Sequence, residues 1–558
     1  MRWFGGGAPG GLPVVPVGAR VIWSKPALWA VGNWSSRHVR TADDGNKRLA
    51  VLGPCSADET ELARALAVSD LATVAGAWAG SYTVVRTDER GAVEVVTDAA
   101  GACPVYTVNA PGGVMWGSSS LALSSLTGRS VDTDWLASYL LDKQAPAPDR
   151  SAWAGVTPVP AGHRLALSAS GTVSLSPWWS PGKRRLDEAR QTVRRALDEG
   201  VRVRVAGVPS STDLAGMDST TLTVLAARYG PIIGMTAYPS GVGEGGDLHY
   251  ARALTIPGVT KTLFPLEARH LPFTPVDEPL PATDQPAPSA AVWAMFSAQL
   301  RAVAAEGAVG HLTGDGGDNL FLPSPTHLVD LARRGRLLRV IRDAQDWARL
   351  RRLSAGPLVW AALRGDTHRI ARPWLVRPAW LVAPVPAPFR ADGGANAVLT
   401  AAIRNVTRAA YADVQLADSL GIELHNPYFD GAVLDAVVSA PAWERFSARR
   451  YKPLLVDACG DLLPEEHRRR ATKGVFAGDF HRGLRINLRR VLDLAGGRLA
   501  ALGLIDPAPL RATVHAAALG AETIWASLLP TLGAEAWLEA VENAPVIEWT
   551  TQAQAGAR

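Results

Sequence analysis

Two stretches carry small, hydroxylated and acidic side chains in the arrangement that would hold a polyphosphate and its metal ion. The first is Ser210-Ser-Thr-Asp-Leu-Ala-Gly-Met-Asp-Ser-Thr-Thr221. It follows the alternating run Val201-Arg-Val-Arg-Val205 and precedes a helical pattern from Leu222 to Tyr229. That order reads as strand, tight loop, helix. Free backbone N–H groups and the positive dipole end at a helix N-terminus favour an anion. Ser210, Ser211, Thr212, Ala215, Gly216, Met217, Ser219 and Thr220 would cradle pyrophosphate, and Asp218 would offer oxygen to Mg²⁺. The second stretch is His311-Leu-Thr-Gly-Asp-Gly-Gly-Asp-Asn-Leu-Phe321. It also follows a strand pattern. Thr313, Gly314, Asp315, Gly316 and Gly317 form a tight phosphate-side loop, and Asp318 supplies a second metal carboxylate. Either loop alone also reads as a polar turn without a ligand; the pair in one alternating domain points to a metal–triphosphate.

The elements that must position these loops follow from the hydrophobic pattern. Residues 1–180 read as short strands separated by Gly, Pro and Asp turns: Ser81–Val85, Ala92–Val96, Val105–Val108 and Arg164–Leu167. Helical patterns stand at Glu59–Ala67 and Asp134–Leu141. This is an α+β layered domain. From residue 186 onward strands alternate with helices: helix 186–199, strand 201–205, strand 231–238, helix 247–254, strand 259–264, helix 290–305 and strand 308–313. Alternation of this kind implies a parallel α/β sheet with ligands at the carboxyl ends of its strands. Residues 271–289 are Pro-rich and irregular. Residues 327–397 are expected as a basic helical insertion followed by a Pro/Gly linker over 381–397. Twelve Arg and three Asp fall between Leu331 and Trp380, interleaved with Trp347, Trp360, Trp374 and Trp380. Solvated helix faces explain that pattern; so does a docking surface for a peptide. From Val398 the chain reads as helical through Glu444 and beyond, and the last dozen residues as frayed.

Composition narrows the class. With 558 residues the chain exceeds one core, and 47% hydrophobic with 20% charged residues is a soluble globular balance. A net charge of +5 gives no general case for nucleic acid. Cys55, Cys103 and Cys459 form no CxxC pair, so a disulfide framework or zinc site is not expected and a reducing cytoplasm fits. No signal-peptide pattern or uncharged apolar run of membrane-spanning length is present, so no membrane span is expected.

Four stretches in order resemble the asparagine synthetase, glutamine-hydrolysing class B superfamily. The 210–221 loop resembles its Ser-Gly-Gly-x-Asp-Ser pyrophosphate motif, with Leu214-Ala215 departing from it. Gly314–Phe321 resembles its Gly-Glu-Gly-x-Asp-Glu-Leu-Phe segment, and Ile422–Asp430 its Val-Glu-x-Arg-x-Pro-Phe-Leu-Asp segment. Leu463–Phe476 resembles the segment carrying its catalytic lysine. Upstream, Thr97–Tyr106, Gly117–Ser120 and Gly155–His163 resemble its glutaminase domain. The resemblance implies a degenerate glutaminase-like (Ntn-type) domain over 1–180. It also implies an adenine-nucleotide alpha hydrolase-like (ATP pyrophosphatase) synthetase domain over 186–558, using ATP and Mg²⁺. Glu423, with Tyr411, would assist amine deprotonation, and Lys473 would balance transition-state charge.

One departure changes the expected reaction. The family's glutaminase uses an N-terminal cysteine, whereas position 2 is Arg2 and no Cys precedes Cys55. The amine is then expected from the substrate, as in β-lactam synthetases and lasso-peptide macrolactam synthetases, the latter being most similar in the two loops. That resemblance implies a precursor core peptide as substrate, with a leader peptidase and a leader-recognition protein as partners. A β-lactam synthetase, an ammonia-dependent amide ligase and a non-catalytic peptide-binding scaffold are the alternatives.

Overall fold

The computed structural model describes all residues except 11–13, 112, 145, 323, 373–374, 387–392, 471–476 and 552–558. Near the N-terminus two six-stranded antiparallel sheets stack face to face. One runs Val156–Pro158, Tyr106–Ala110, Gly113–Gly117, Trp3–Gly7, Leu28–Val31, Arg20–Trp23. The other runs Val173–Pro177, His163–Leu167, Val93–Val96, Thr83–Thr87, Arg48–Leu52, Val39–Asp43. Alternation along each strand sends one set of side chains inward and the other outward. In Arg48–Leu52, Ala50 and Leu52 join the core between the sheets, while Leu49 and Val51 pack under the helices Glu59–Ala67 and Leu71–Ala75. The helices Ser120–Ser124 and Thr133–Leu141 cover the outer face of the first sheet. The result is four layers, helix–sheet–sheet–helix, as expected for an Ntn-type domain.

The second sheet system is parallel throughout. Its five strands run Val259–Leu266, Ile232–Pro239, Ser210–Asp213, Gly310–Leu312, Glu423–His425. In chain order this is 3-2-1-4-5, and the order reverses between Ser210–Asp213 and Gly310–Leu312. A crevice opens at such a switch point, outside the carboxyl ends of the strands.

Three expectations are corrected here. Residues 201–205 are the last turns of the helix Leu186–Val205, not a strand. Val193, Leu197, Val201 and Val205 recur every four residues and are all buried, so helical period 4 over the whole segment overrides the local Val/Arg alternation. The strand is instead the polar Ser210–Asp213. Second, a strand, Glu423–His425, interrupts the region read as helical from Val398, after the long helix Ala395–Ser419. Third, part of the tail read as frayed is ordered: Trp549–Thr551 pairs antiparallel with Val14–Pro16. The C-terminal helices, including Trp525–Asn543, share a core with the first N-terminal sheet through Leu510, Leu528 and Trp537.

The basic region folds as His327–Arg333, Leu337–Arg351, Ala355–Leu363 and Thr367–Ala371 around its own small core of Leu328, Leu331, Val340, Trp347, Leu358 and Ile370. Trp347 is buried there, and Trp380 is buried in the large core with its Nε1 donating to Thr531 Oγ1 at 3.1 Å. Trp360 is exposed, and Trp374 lies outside the described residues. The interleaved tryptophans are therefore not one surface stripe. No helix among the described residues is long and apolar enough to cross a membrane.

Candidate active site

The two loops meet at the switch point. Ser210–Asp213 ends in Leu214-Ala215-Gly216, and the helix Met217–Ala227 begins at once. Ala215 is fully buried and holds φ +104°, a conformation suited to glycine. A non-glycine residue there costs on the order of 1–3 kcal/mol. Its carbonyl accepts from Arg470 Nη1 at 2.8 Å, and Arg470 is itself buried, paired with Asp247 and lying 4.1 Å over the Tyr250 ring. This clamp compensates for the family glycine that Ala215 replaces.

The second loop is shaped by the first. A Cβ on Gly314 would lie 3.1 Å from the Ser219 backbone N, and one on Gly317 would lie 2.3 Å from Asp218 Cγ. Gly316 has φ +91°, with the Phe429 ring 2.6 Å from where its Cβ would be. The glycines are thus required by the close approach of Asp218 and Phe429. Tyr428 donates its hydroxyl to the Asp218 carbonyl at 3.0 Å, and Thr313 donates to Asn426 Oδ1 at 2.7 Å, tying in the residues after Glu423–His425.

Asp218 and Asp318 converge on one cation, the ammonium of Lys452, which lies 2.6 Å from Asp318 Oδ1 and bonds Asp218 Oδ2. Lys452 is 2% exposed. Burial alone would lower its pKa, but Asp218 and then Asp318 outweigh that and raise it, so it stays charged. Lys452 opens the helix Pro453–Cys459 with φ +43°. Nothing in its local sequence marks it as a site residue. A lone Lys carries no motif; its only signal was the Pro that follows, which marks the start of a helix.

These groups line a pocket of about 290 Å³. Of the expected residues, Gly216, Met217, Asp218, Ser219, Gly314, Asp315 and Asp318 line it. Asp213, Thr236, Asp247, Gln299, Tyr451, Lys452 and Arg470 line it as well and were not anticipated. Ser210 Oγ turns to the Val208 carbonyl and Ser211 Oγ bonds His311 Nδ1, so both hydroxyls serve the sheet. Thr212 Oγ1 bonds Thr223 Oγ1 at 2.7 Å. Ala215, Thr220, Thr313, Gly316 and Gly317 shape the loops without lining the pocket. Two convergent carboxylates beside a helix N-terminus suit a Mg²⁺ that takes its other oxygens from phosphates and water. Among the described residues no three His, Cys, Asp or Glu side chains form a site of their own.

Glu423 and Tyr411 are placed elsewhere. Glu423 pairs in register with Gly310, at the amino end of its strand and away from the pocket. Its Oε1 receives Arg2 Nη1 at 2.5 Å, and His38 and His425 lie 3.6 and 3.8 Å away. Burial would raise this carboxyl, but hydrogen bonds from His38 and His425 hold it well below the usual range. Burial lowers His425 to about 4. Arg2 also binds Asp418, through its Nε and its backbone N, both at 2.6 Å. Tyr411 lines a small cavity of about 100 Å³ with Arg2, Trp34 and His38, and burial pushes its hydroxyl well above the usual phenol range. Lys473 lies outside the described residues. Cys55, Cys103 and Cys459 are all buried with thiols pushed up to about 12, so none is poised as a thiolate.

Known proteins bear on this arrangement. Over 158 residues the chain is 35% identical to carboxyethyl-arginine β-lactam synthase of Streptomyces clavuligerus, covering 26% of this chain and 28% of that protein's length. Two solved structures overlap partially. One is glutamine phosphoribosylpyrophosphate amidotransferase from B. subtilis with ADP and GMP: 9% identity, TM-score 0.21, 41% of this chain and 64% of that one. The other is an allosteric regulatory enzyme of purine biosynthesis: 10% identity, TM-score 0.22, 56% of this chain and 80% of that one. The asparagine synthase family pattern matches residues 192–539, more than half of the chain, and includes both acidic loops, Lys452 and Glu423. The chain belongs to the asparagine synthase family.

Proposed function

We propose that this protein is an ATP-dependent amide ligase that closes a ring within a ribosomally made precursor peptide, giving a lasso-type macrolactam. The observation that carries the reading is the pairing of a two-carboxylate pocket with an N-terminal domain whose cysteines, Cys55 and Cys103, are buried and protonated and whose Arg2 is held by Asp418 and Glu423. Activation chemistry is equipped and thiol-dependent ammonia release is not, so the amine comes with the substrate.

In this reading a side-chain carboxylate of an Asp or Glu in the peptide attacks the α-phosphorus of ATP. The bond from that phosphorus to the bridging oxygen breaks, and pyrophosphate leaves. The peptide's own α-amine then attacks the acyl carbon, AMP departs, and the amine's proton passes to a base. Mg²⁺, held by Asp218 and Asp318, would neutralise phosphate charge. Lys452 and Arg470 bring further positive charge to the pocket, and the N–H groups of residues 217–219 face the same anion. Lys473 is assigned to charge balance on the acyl intermediate by resemblance. Glu423 and Tyr411 act at one remove, because hydrogen bonds from His38 and His425 keep the first ionised and burial keeps the second neutral. Holding amine and activated carboxyl together contributes up to roughly 7–11 kcal/mol through effective molarity. A leader peptidase and a leader-recognition protein would prepare the substrate in the cytoplasm.

The test is incubation with ATP, Mg²⁺ and leaderless core peptides. Loss of one water with AMP release is the expected result, and ADP release overturns it. The identity to a β-lactam synthase favours a second reading, ring closure in an amino-acid derivative. Turnover of such a compound in place of any peptide would select it. Absence of ATP–pyrophosphate exchange would leave a binding scaffold instead.

A further inference from the structure

Asp318 lines a second, larger space besides the nucleotide pocket, a groove of about 750 Å³. One wall is the helix Ala395–Ser419, through Val398, Leu399, Ala401 and Ala402, with Leu322 and Phe446 beside it. The other wall is the basic helical region, through Arg333, Arg351, Arg364, His368 and Arg372. The volume falls within the roughly 300–1,000 Å³ usual for bound organic ligands. Ala401 and Asn405 line both this groove and a further cavity of about 590 Å³ that reaches the N-terminal domain, so the space beside the nucleotide pocket is extended.

The charge in this groove is one-sided. Among the described residues two carboxylates line it, and both are engaged: Asp318 by Lys452, and Asp366 by the backbone N of Arg369 at 3.0 Å. Arg372 is taken by Asp142 of the N-terminal domain. Arg333 and Arg364 have no carboxylate within ion-pair distance among the described residues. Both line the same wall, and Arg333 reaches the turn that follows Arg364, its Nη2 3.6 Å from where a Cβ on Gly365 would lie. The Arg364 guanidinium stacks 3.7 Å over Trp360, which covers one face and leaves its N–H edge for a planar anion. Two guanidiniums on one wall, neither paired with a carboxylate among the described residues, make that wall a charge-assisted acceptor site for a bound carboxylate.

We propose that this groove binds the carboxyl-bearing substrate and that Arg333 and Arg364 recognise a second carboxylate on it, distinct from the one that is activated. The inference rests on the ligase reading for the term substrate. The anion could be an acidic side chain or a chain terminus; the chemistry is shared. It makes the basic helices the specificity element, with the activated carboxylate at the Asp318 end and the recognised one farther along.

The test uses the full-length protein and three Gly/Ser heptapeptides carrying an uncharged BODIPY label, followed by polarisation. One has a free C-terminal carboxylate, one an amidated terminus with a single internal Asp, and one an amidated terminus with no acid. At least one carboxylate peptide is expected to bind about tenfold or more tighter than the neutral one, and which of the two does so identifies the source. Arg333→Gln with Arg364→Gln should bring all three within about twofold, and Arg333→Lys with Arg364→Lys should retain part of the preference. Unchanged binding of a fluorescent ATP analogue reports the fold. Equal binding of the three peptides, no binding by either carboxylate peptide, or a preference that survives the Gln pair overturns the proposal. AMP formation is measured separately. Charge-selective binding without AMP formation removes the ligase reading alone, and AMP formation without charge preference removes the groove reading alone.

Discussion

Two acid pairs in this protein are each bridged by one cation, and they are built for different ends. Asp218 and Asp318 share Lys452; Asp418 and Glu423 share Arg2. The first pair sits where glycines let two loops touch, faces a pocket of about 290 Å³, and uses a lysine whose compact charge can be matched by a metal ion or a phosphate. The second sits where strand ends meet the N-terminal domain, beside a cavity of only about 100 Å³, and uses an arginine fork held by two carboxylates at once. A charge cluster is functional when its partner is exchangeable and space adjoins it. It is a lock when the partner is fixed and little space adjoins it.

That contrast can be broken by substitution. Asp218→Ala and Asp318→Ala should each lower AMP formation by about three orders of magnitude while the circular dichroism spectrum is kept. Activity within tenfold of the parent would put the metal elsewhere. Lys452→Ala should lower turnover by about a hundredfold, with the larger share in nucleotide binding, as measured by pyrophosphate exchange against ATP concentration. Arg2→Ala should act on stability instead, because it leaves two largely buried carboxylates facing each other. A loss of about 3 kcal/mol in denaturant unfolding is expected, with turnover per folded molecule nearly unchanged. An Arg2 variant as stable as the parent would remove its role as a lock.

Two smaller effects sharpen the picture. Burial raises the Asp413 carboxyl to about 7, against 3.8 for the free side chain. The folded protein therefore holds a proton there that the unfolded chain releases, and this contribution to stability grows as pH falls from about 7 toward 4. Asp413→Asn should stabilise by about 1–3 kcal/mol at pH 8 and not at pH 5, in paired melts at the two pH values. Ala215→Gly should raise stability by about 1 kcal/mol or less, because relief of the positive φ is partly offset by the added freedom of the unfolded chain. A clear loss of stability would mean that the turn is not strained.

The sequence was most legible where chemistry depends on short spacing. Asp218 and Asp318 with their glycines could be read in order, and the two loops do converge. Helix Glu59–Ala67 follows from its own periodicity and the Asp58 cap. It was less legible where distant partners decide. Val201–Val205 alternates like a strand, but its buried valines continue the face begun at Val193 against Leu222 and Leu225. Glu423, placed at the site by its motif, is drawn to Arg2 at the far end of its strand.

By itself the sequence determined the family, the alternation that makes a parallel sheet and the two acidic loops, because each is a matter of residue type and local spacing. Only the tertiary structure decided that Lys452 and Arg470 complete the pocket, that Arg2 holds Asp418 and Glu423, and that Arg333 and Arg364 line one groove without an ion-paired acid among the described residues. Those are encounters between residues tens to hundreds of positions apart. Folding brings them together through buried apolar cores, and nothing in their local sequence records the meeting.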